Sequence, residues 1–290
     1  MPLRGFWKKA TPFLLLLPLI VWLVGFALIP MSYGLYLSLN RAFIENLANP
    51  TWAGLANYRA LFKDPGWLRA IKFSLRFALI SVSIQMVAGL AIAQLFNRHI
   101  PGKGVAIMFL LMPMVVSAAL IGTMYRVLLN EFVGPIQYLL NPLTGGRALM
   151  GIRLVQWTVI ALVCLIEIPF VFINTYAALQ AVPQDLMEAA DTDGATPWQR
   201  FWNVTFPLIL PIVGITFLER VLGAFLVFAL VYTLTGGGPG DATQSVSLYI
   251  YIKAFNSSNF GLANAAAFTL TAFLFLPALY TVSRMMRSLR

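Results

Sequence analysis

Residues Ala10–Asn40 read ATPFLLLLPLIVWLVGFALIPMSYGLYLSLN and carry no charged side chain over 31 positions. A helix of about 20 mostly apolar residues crosses the hydrocarbon core of a bilayer. The apolar part of this stretch is far longer than the core of a secretory signal peptide, which has about 7–15 residues, and no convincing small-residue cleavage site follows it. We therefore predict that the stretch is a retained membrane-spanning helix.

The composition of the whole chain is that of a membrane protein. Of its 290 residues 60% are hydrophobic and 10% are charged, and the mean hydropathy is +0.81. A soluble domain has about 25% charged residues, so this chain has too few of them to cover a surface that faces water. The single cysteine, Cys164, excludes an intramolecular disulfide and a cysteine-rich metal site.

Five more stretches with few or no charges follow the first. They are Phe77–Asn97, Gly104–Tyr125, Leu154–Gln184 (interrupted by Glu167), Phe201–Gly240 (interrupted by Glu219 and Arg220) and Ala254–Ser283. All are too long and too continuous for the alternating strands of a membrane barrel. The sequence therefore predicts an all-α polytopic membrane protein with six transmembrane helices, at about 12–38, 73–96, 105–129, 155–179, 204–234 and 263–284. The connections leave no room for a soluble domain, so residues 1–290 are interpreted as one transmembrane domain.

The basic residues of the connections indicate an orientation. Six spans place both termini on one side, which carries nine Lys and Arg residues in about 50 positions, whereas the other side carries ten in about 90. Cytoplasmic loops are enriched in Lys and Arg. The higher density predicts that both termini are cytoplasmic.

Sequence signatures of common enzymes are missing. The chain has no GxxxxGK[ST], HExxH or GxSxG motif and a single histidine, so it lacks the phosphate-binding loop, the zinc site and the nucleophile turn that these motifs encode. We predict that the chain is not an enzyme and that it holds no metal or cofactor of its own.

Residues Val182–Pro211 read VPQDLMEAADTDGATPWQRFWNVTFPLILP and predict two short helices joined by a turn. Pro183 suits a first helical turn. Gly194 suits a left-handed residue at a helix end. Thr196 and Gln199 have the spacing of a capping box that opens the second helix. Leu186, Ala189 and Ala190 recur at helical spacing as an apolar stripe.

Such an amphipathic hairpin could lie on lipid headgroups or bind a protein. Its charge favours a protein, because anionic lipid would repel four carboxylates that are accompanied by the single cation Arg200. The four are Asp185, Glu188, Asp191 and Asp193.

These residues resemble the EAA loop of ATP-binding-cassette (ABC) importer permeases. The resemblance is carried by Glu188-Ala189-Ala190, Asp193-Gly194-Ala195, Phe201, Phe206-Pro207 and Pro211. It extends to one branch, the carbohydrate permeases of the maltose F-type and glycerol-phosphate A-type. The stretches that are similar to this branch are Gly54-Leu55, Asn57-Tyr58, Leu61-Phe62 and Asp64-Pro65 upstream, and Leu234–Pro239, Tyr249, Tyr251, Ala254-Phe255 and Phe260-Gly261 downstream.

The resemblance implies a permease subunit that moves a sugar or sugar derivative across the inner membrane by alternating access. It implies a second permease subunit in a heterodimer, two cytoplasmic ATPase subunits that hold ATP and Mg, and an extracytoplasmic solute-binding protein. The loop 182–207 would be cytoplasmic and would contact an ATPase. The implied coupling residues are Glu188, Ala189, Ala190, Asp193 and Gly194.

The resemblance also implies substrate contacts in the fourth and fifth spans, at Glu167, Phe170, Arg220 and Tyr232. A carboxylate accepts hydrogen bonds from sugar hydroxyls, a guanidinium donates several, and an aromatic ring contacts the apolar face of a sugar. The alternative interpretation is a purely structural ion pair between Glu167 and Arg220. The solute stays open between a monosaccharide, a disaccharide, a polyol and an anionic sugar derivative attracted to Arg220.

A second class of function is a stand-alone secondary transporter or channel with Glu167 in a proton or ion pathway. The acidic hairpin has no role in that hypothesis. The continuous apolar runs also predict unbroken spans, whereas such transporters have paired interrupted helices.

Overall fold

The computed structural model describes residues 3–98 and 100–288, and most of these residues are helical. In chain order the helices are α1 (Leu3–Ser38), α2 (Ala56–Lys63), α3 (Pro65–Phe96), α4 (Lys103–Val115), α5 (Ala118–Leu128), α6 (Pro135–Thr144), α7 (Val155–Gln180), α8 (Gln184–Thr192), α9 (Pro197–Arg200), α10 (Phe206–Phe225), α11 (Ala229–Leu234), α12 (Val246–Tyr251) and α13 (Phe260–Ser288). Short 3₁₀ and π-helical turns occur at Ile44–Asn46, Phe201–Thr205 and Ile252–Asn256. Two short strands, β1 (Asn40–Arg41) and β2 (Thr51–Trp52), pair antiparallel.

The described residues include four helices that are long and apolar enough to cross a membrane. They are Leu15–Ser38, Pro65–Phe96, Val155–Gln180 and Pro197–Leu234. Helices α4 and α5 meet the same criterion as a pair and make a fifth if they form one span. Within α13, Phe260–Phe275 is a shorter apolar helix at the position of the sixth predicted span. The all-α prediction is therefore confirmed, with four or five candidate spans.

Two predicted spans are broken, which corrects the expectation of continuous helices over 105–129 and 204–234. The axes of α4 and α5 differ by 90°. Pro113 lies inside α4 and cannot donate a backbone hydrogen bond there. Val116, which follows α4, is extended. Helix α10 ends at Phe225 and α11 begins at Ala229.

The second break is supported by hydroxyl groups from a distant part of the sequence. The Oγ of Ser245 donates to the carbonyl of Val227 over 2.7 Å, and the Oγ of Ser247 donates to the carbonyl of Phe225 over 3.1 Å. Carbonyl groups that lose their helical partners inside a membrane must find other donors. Apolar composition does not reveal this break, because the donors lie about 20 residues downstream of the carbonyls that they satisfy.

Two compact units make up the chain. The first comprises the residues up to Asp64 together with Ile250–Thr271, and the second comprises Pro65–Tyr249 together with the residues from Ala272 onward.

In the first unit, the motif residues of the upstream loop fix the turn after α1. The amide Nδ2 of Asn57 donates to the carbonyls of Ser38 and Asn40, both over 2.8 Å. Lys253 forms an ion pair with Asp64 at 2.8 Å. The motif therefore has a structural role, which is to hold the turn after α1 in place, and the resemblance alone did not specify this role.

In the second unit, α3 and α7 lie very close together. A Cβ atom placed on Gly89 would lie 2.6 Å from the Cβ of Val171, so only a glycine allows this approach. Small residues at helix crossings are typical of membrane proteins, where close backbone packing replaces the hydrophobic effect as the source of association. Phe172, next to Val171, is fully buried and belongs to the same apolar cluster as Ala93 on α3.

Candidate functional site

A cavity of about 370 Å³ lies within the second unit. This volume is in the range of about 300–1,000 Å³ found for small-molecule sites. It lies where the two helix breaks meet, because its walls include Ala118 at the start of α5 and residues 226–228 between α10 and α11. The full lining is Phe77, Gln85, Ala118, Val163, Ile166, Glu167, Arg220, Gly223, Ala224, Leu226, Val227, Phe228, Ala229 and Leu230.

One guanidinium group and two carboxylates form a charged triad beside the cavity. The Nε and Nη2 of Arg220 donate to the two carboxylate oxygens of Glu219, each over 2.5 Å. The Nη1 of Arg220 donates to Oε2 of Glu167. The side chain of Arg220 is 9% exposed, whereas those of Glu167 and Glu219 are 35% and 46% exposed. The sequence had suggested a pair, and the structure adds Glu219 as a third member.

The two predicted aromatic residues, Phe170 and Tyr232, are not among the residues that line this cavity. The ring of Phe170 covers the guanidinium of Arg220, with 4.3 Å between the ring centroid and Cζ. The ring of Tyr232 stacks on Phe228, with centroids 5.3 Å apart. Of these two stacked rings, Phe228 is the one that lines the cavity.

Two residues of this site were not singled out from the sequence. Gln85 on α3 lines the cavity with 2% of its surface exposed. The signal that could have identified it is a primary amide in an otherwise apolar run, because a buried amide requires hydrogen-bond partners. Glu219 was recognised as a charge inside a span but was not assigned to the site, since adjacent helical residues do not normally face the same way.

The two-helix prediction for the stretch after α7 is confirmed by α8 and α9. At the end of α8, the backbone N–H of Ala195 donates to the carbonyl of Ala190 and that of Gly194 donates to Asp191, over 3.0 and 3.1 Å. This is a Schellman motif with Gly194 at φ +74°. Thr196 and Gln199 form the expected capping box at the start of α9.

The charges of this hairpin, α8 and α9 with their turn, are only partly available to a partner. Arg200 binds both carboxylate oxygens of Asp191, over 2.5 and 2.7 Å. Glu188 is exposed and accepts a hydrogen bond from its neighbour Gln184 over 3.0 Å. The predicted apolar stripe is divided, because Ala190 is buried whereas Leu186 and Ala189 are exposed.

Residues 85–289 match the family described as "Binding-protein-dependent transport system inner membrane component". The chain belongs to this family.

Relatives of this permease support the same assignment. It is 31% identical over 262 residues to the sn-glycerol-3-phosphate transport system permease protein UgpA of Agrobacterium fabrum, covering 88% of this chain and 87% of the relative. It is 30% identical over 262 residues to the trehalose/maltose transport system permease protein MalF of Thermococcus litoralis, covering 87% and 86%. With the trehalose transport system permease protein SugA of Mycobacterium tuberculosis, identity is 33% over 267 residues, covering 89% and 83%.

The fold of the permease is that of solved ABC importers. A bacterial ABC transporter involved in the import of the acidic polysaccharide alginate superposes with a TM-score of 0.78 at 21% identity, over 99% of both chains. A bacterial alginate ABC transporter in complex with an alginate pentasaccharide-bound periplasmic protein gives 0.80 at 22% identity, over 95% of both chains.

These comparisons confirm the resemblance, and they confirm that this chain is a transport subunit of an ABC importer and not an enzyme. Because two helices are broken, the continuity of the spans does not distinguish this chain from a secondary transporter. Membership of the family excludes a stand-alone secondary transporter.

Arg220→Gln should lower the melting temperature of the purified permease complex more than Glu167→Gln or Glu219→Gln. The first change leaves two carboxylates without their shared cation, whereas each of the others keeps one ion pair. Loss of one partner from a buried pair costs about 3–5 kcal/mol, and screening of the half-exposed carboxylates reduces this to about 1–3 kcal/mol. Adding Glu167→Gln to Arg220→Gln should recover only part of the loss, because Glu219 stays unpaired. Full recovery in that double variant would contradict the triad.

Gly194→Val should loosen the turn of the hairpin. A Cβ on Gly194 has no atom within 4 Å, so the cost arises from the left-handed backbone, about 1–2 kcal/mol for a residue other than glycine. Amide hydrogen exchange over residues 186–195 should become faster. Gly194→Asn is the matched control, because asparagine tolerates this conformation, and its exchange should stay near that of the parent chain. Equal protection in the valine variant would exclude the assigned backbone conformation.

Proposed function

We propose that this permease moves a sugar or sugar derivative inward by alternating access and that the cavity beside the triad is where the solute binds. The observation that carries this proposal is a group of polar side chains inside an otherwise apolar bundle. Ionisable residues in membrane-spanning segments are costly and normally face a partner or a solute pathway. Carbohydrate relatives support the solute class, since their names specify glycerol 3-phosphate, trehalose and maltose.

The proposed solute contacts are made by Glu167 and Arg220, with Gln85 added. Each can form hydrogen bonds with hydroxyl groups, and the rings of Phe77 and Phe228 offer apolar surface on the same walls. Phe170 acts through the guanidinium that it covers, and Tyr232 acts through Phe228. Their proposed roles are therefore to position other groups rather than to touch the solute.

The proposed topology has six spans within one transmembrane domain, residues 1–290, and both termini in the cytoplasm. Phe260–Phe275 would belong to the sixth span. A second permease subunit completes the heterodimer, and an extracytoplasmic solute-binding protein delivers the solute. The exposed apolar side chains along Leu15–Ser38 support contact of α1 with lipid or with the second permease.

The proposed contact with a cytoplasmic ATPase subunit is made by the hairpin through Glu188, Ala189, Asp193 and Gly194, all of which are exposed. Glu188 would pair with a basic residue of the ATPase. Ala190 would have a structural role instead, because its side chain is buried. ATP and Mg would be held by two such ATPase subunits and not by this chain.

Gly223→Leu tests the cavity. A Cβ at Gly223 would meet only the Nη2 of Arg220, at 3.9 Å, so a side chain can start there without a backbone shift. Because Gly223 lines the cavity, a leucine at this position should reduce the space for the solute. Uptake and solute-stimulated ATP hydrolysis should fall at least about tenfold, while the complex still assembles. The matched control is Gly104→Leu, at a helical glycine with no atom within 4 Å of its Cβ and no place in the cavity lining. Undiminished uptake by Gly223→Leu would refute the proposed site.

Glu188→Lys tests the coupling role. The change reverses the exposed charge and leaves the apolar contacts of α8 intact, so the permease should reach the membrane in normal amounts. Transport should fall at least about tenfold if a basic ATPase residue then meets a lysine, and Glu188→Gln should have a smaller effect. Glu131→Lys makes the same charge change on an exposed loop residue outside the hairpin, and it should keep normal uptake. Normal transport by a stable Glu188→Lys variant would reject the docking role.

A further inference from the structure

The guanidinium of Arg220 is already used by its own neighbours. Its side-on edge, formed by Nε and Nη2, holds both oxygens of Glu219 at 2.5 Å. Its Nη1 binds Glu167, and one of its faces is covered by the ring of Phe170 at 4.3 Å. Arginine recognises phosphate or carboxylate groups best by offering two parallel N–H donors from one edge. In this site the edge formed by Nε and Nη2 is fully occupied, and three of the five N–H donors of Arg220 are used.

The charge beside the cavity is therefore negative. The triad carries two negative charges and one positive charge. Glu167 and Arg220 line the cavity, Glu219 neutralises Arg220 from outside the lining, and the other lining residues carry no charge. The negative charge is also the more accessible one, because the Glu167 side chain is 35% exposed whereas the Arg220 side chain is only 9% exposed. A solute in the cavity thus meets mainly the carboxylate of Glu167.

The hydrogen-bonding groups of the cavity walls also favour hydroxyl groups over anionic groups. An ionised carboxylate only accepts hydrogen bonds, whereas the amide of Gln85 both donates and accepts. Hydroxyl groups can satisfy these acceptors as donors. A phosphate, carboxylate or sulfate group has only acceptor atoms when it is ionised, and its negative charge is repelled by the triad more strongly than in water.

We propose that this cavity excludes anionic solutes, so that the transported compound is rich in hydroxyl groups and carries no phosphate, carboxylate or sulfate group. This inference rests on the proposed function, in which the cavity binds the solute. It narrows that function, because it removes the anionic sugar derivatives that an isolated Arg220 would attract.

The test compares matched solutes on the complete purified complex at constant ionic strength, since salt screens charge effects. The probes are glycerol with glycerol 3-phosphate, trehalose with trehalose 6-phosphate, and glucose with glucuronate. Binding is followed by the concentration-dependent rise in melting temperature and by stimulation of ATP hydrolysis. At least one uncharged member should bind, at least about tenfold more tightly than its anionic partner, because like charges in a water-poor site oppose binding. Gly223→Leu should abolish this binding.

Variants of the triad make the charge effect specific. The double variant Glu167→Gln/Glu219→Gln changes the net charge of the triad from −1 to +1, because neutral amides replace both carboxylate partners of the guanidinium. The preference for the uncharged member should then fall at least about tenfold. The single variant Glu219→Gln keeps the ion pair with Glu167 and should shift the preference in the same direction if the double variant does not assemble. The control Glu45→Gln/Glu131→Gln removes two exposed carboxylates outside the cavity and should leave the preference unchanged.

The outcomes separate this inference from the function on which it rests. Tight binding of an anionic member to the parent complex, lost in Gly223→Leu, would keep the cavity as the binding site and overturn the exclusion of anions. An unchanged preference in both triad variants would also overturn it. Binding that is the same in the parent complex and in Gly223→Leu, or no binding by any probe, would overturn the proposed site and this inference with it.

Discussion

A guanidinium group inside a membrane-spanning bundle has to be compensated, and the compensation of Arg220 determines the character of the cavity in this permease. Its two carboxylate partners lie on different helices. Glu167 lies on α7, and Glu219 lies next to Arg220 on α10. The contact with Glu167 joins two helices that are separated by the hairpin. The ring of Phe170, one turn after Glu167, covers the guanidinium from the same helix α7. A single buried cation therefore fixes the relative positions of α7 and α10 at the depth of the cavity.

A second constraint shapes the same region. Breaking a helix within a membrane exposes backbone carbonyl groups, and these need donors that lipid cannot supply. Between α10 and α11 the donors are the hydroxyls of Ser245 and Ser247. The position of Ser245 is fixed in turn, because its Oγ also accepts from the backbone N–H of Leu248 over 3.2 Å. The cavity can exist at this break because Ser245 and Ser247, which are distant in the sequence, donate hydrogen bonds to the carbonyl groups that the break exposes.

The sequence predicted the parts of the structure that depend on local pattern. Apolar runs identified the long helices, and the spacing of Thr196 and Gln199 and the position of Gly194 identified the hairpin, because caps and turns are determined by residues within one turn of each other. The break between α10 and α11 could not be predicted in this way, since its supporting serines are distant in the sequence. The place of Glu219 in the site was not predicted either, because adjacent residues of a helix do not normally face each other. The resemblance located Glu167 and Arg220 and left open whether they pair with each other or bind the solute, and the structure shows that they are paired.

A continuous helix connects the hairpin to the cavity, and it could transmit a movement of the hairpin to the proposed solute site. Residues 197–225 are helical without interruption through α9, the π-helical turn Phe201–Thr205 and α10. From Pro197 to Arg220 this stretch is about 35 Å long at 1.5 Å per residue. The π-helical turn is packed among the rings of Phe201, Trp202 and Phe206, with the centroids of Trp202 and Phe206 4.9 Å apart. A force applied by an ATPase to α9 would reach the triad through this supported turn, without crossing a flexible loop. Alternating access by this route requires that Arg220 moves with α10 while Glu167 stays on α7, so the contact between them is the one that the transport cycle would have to strain or exchange.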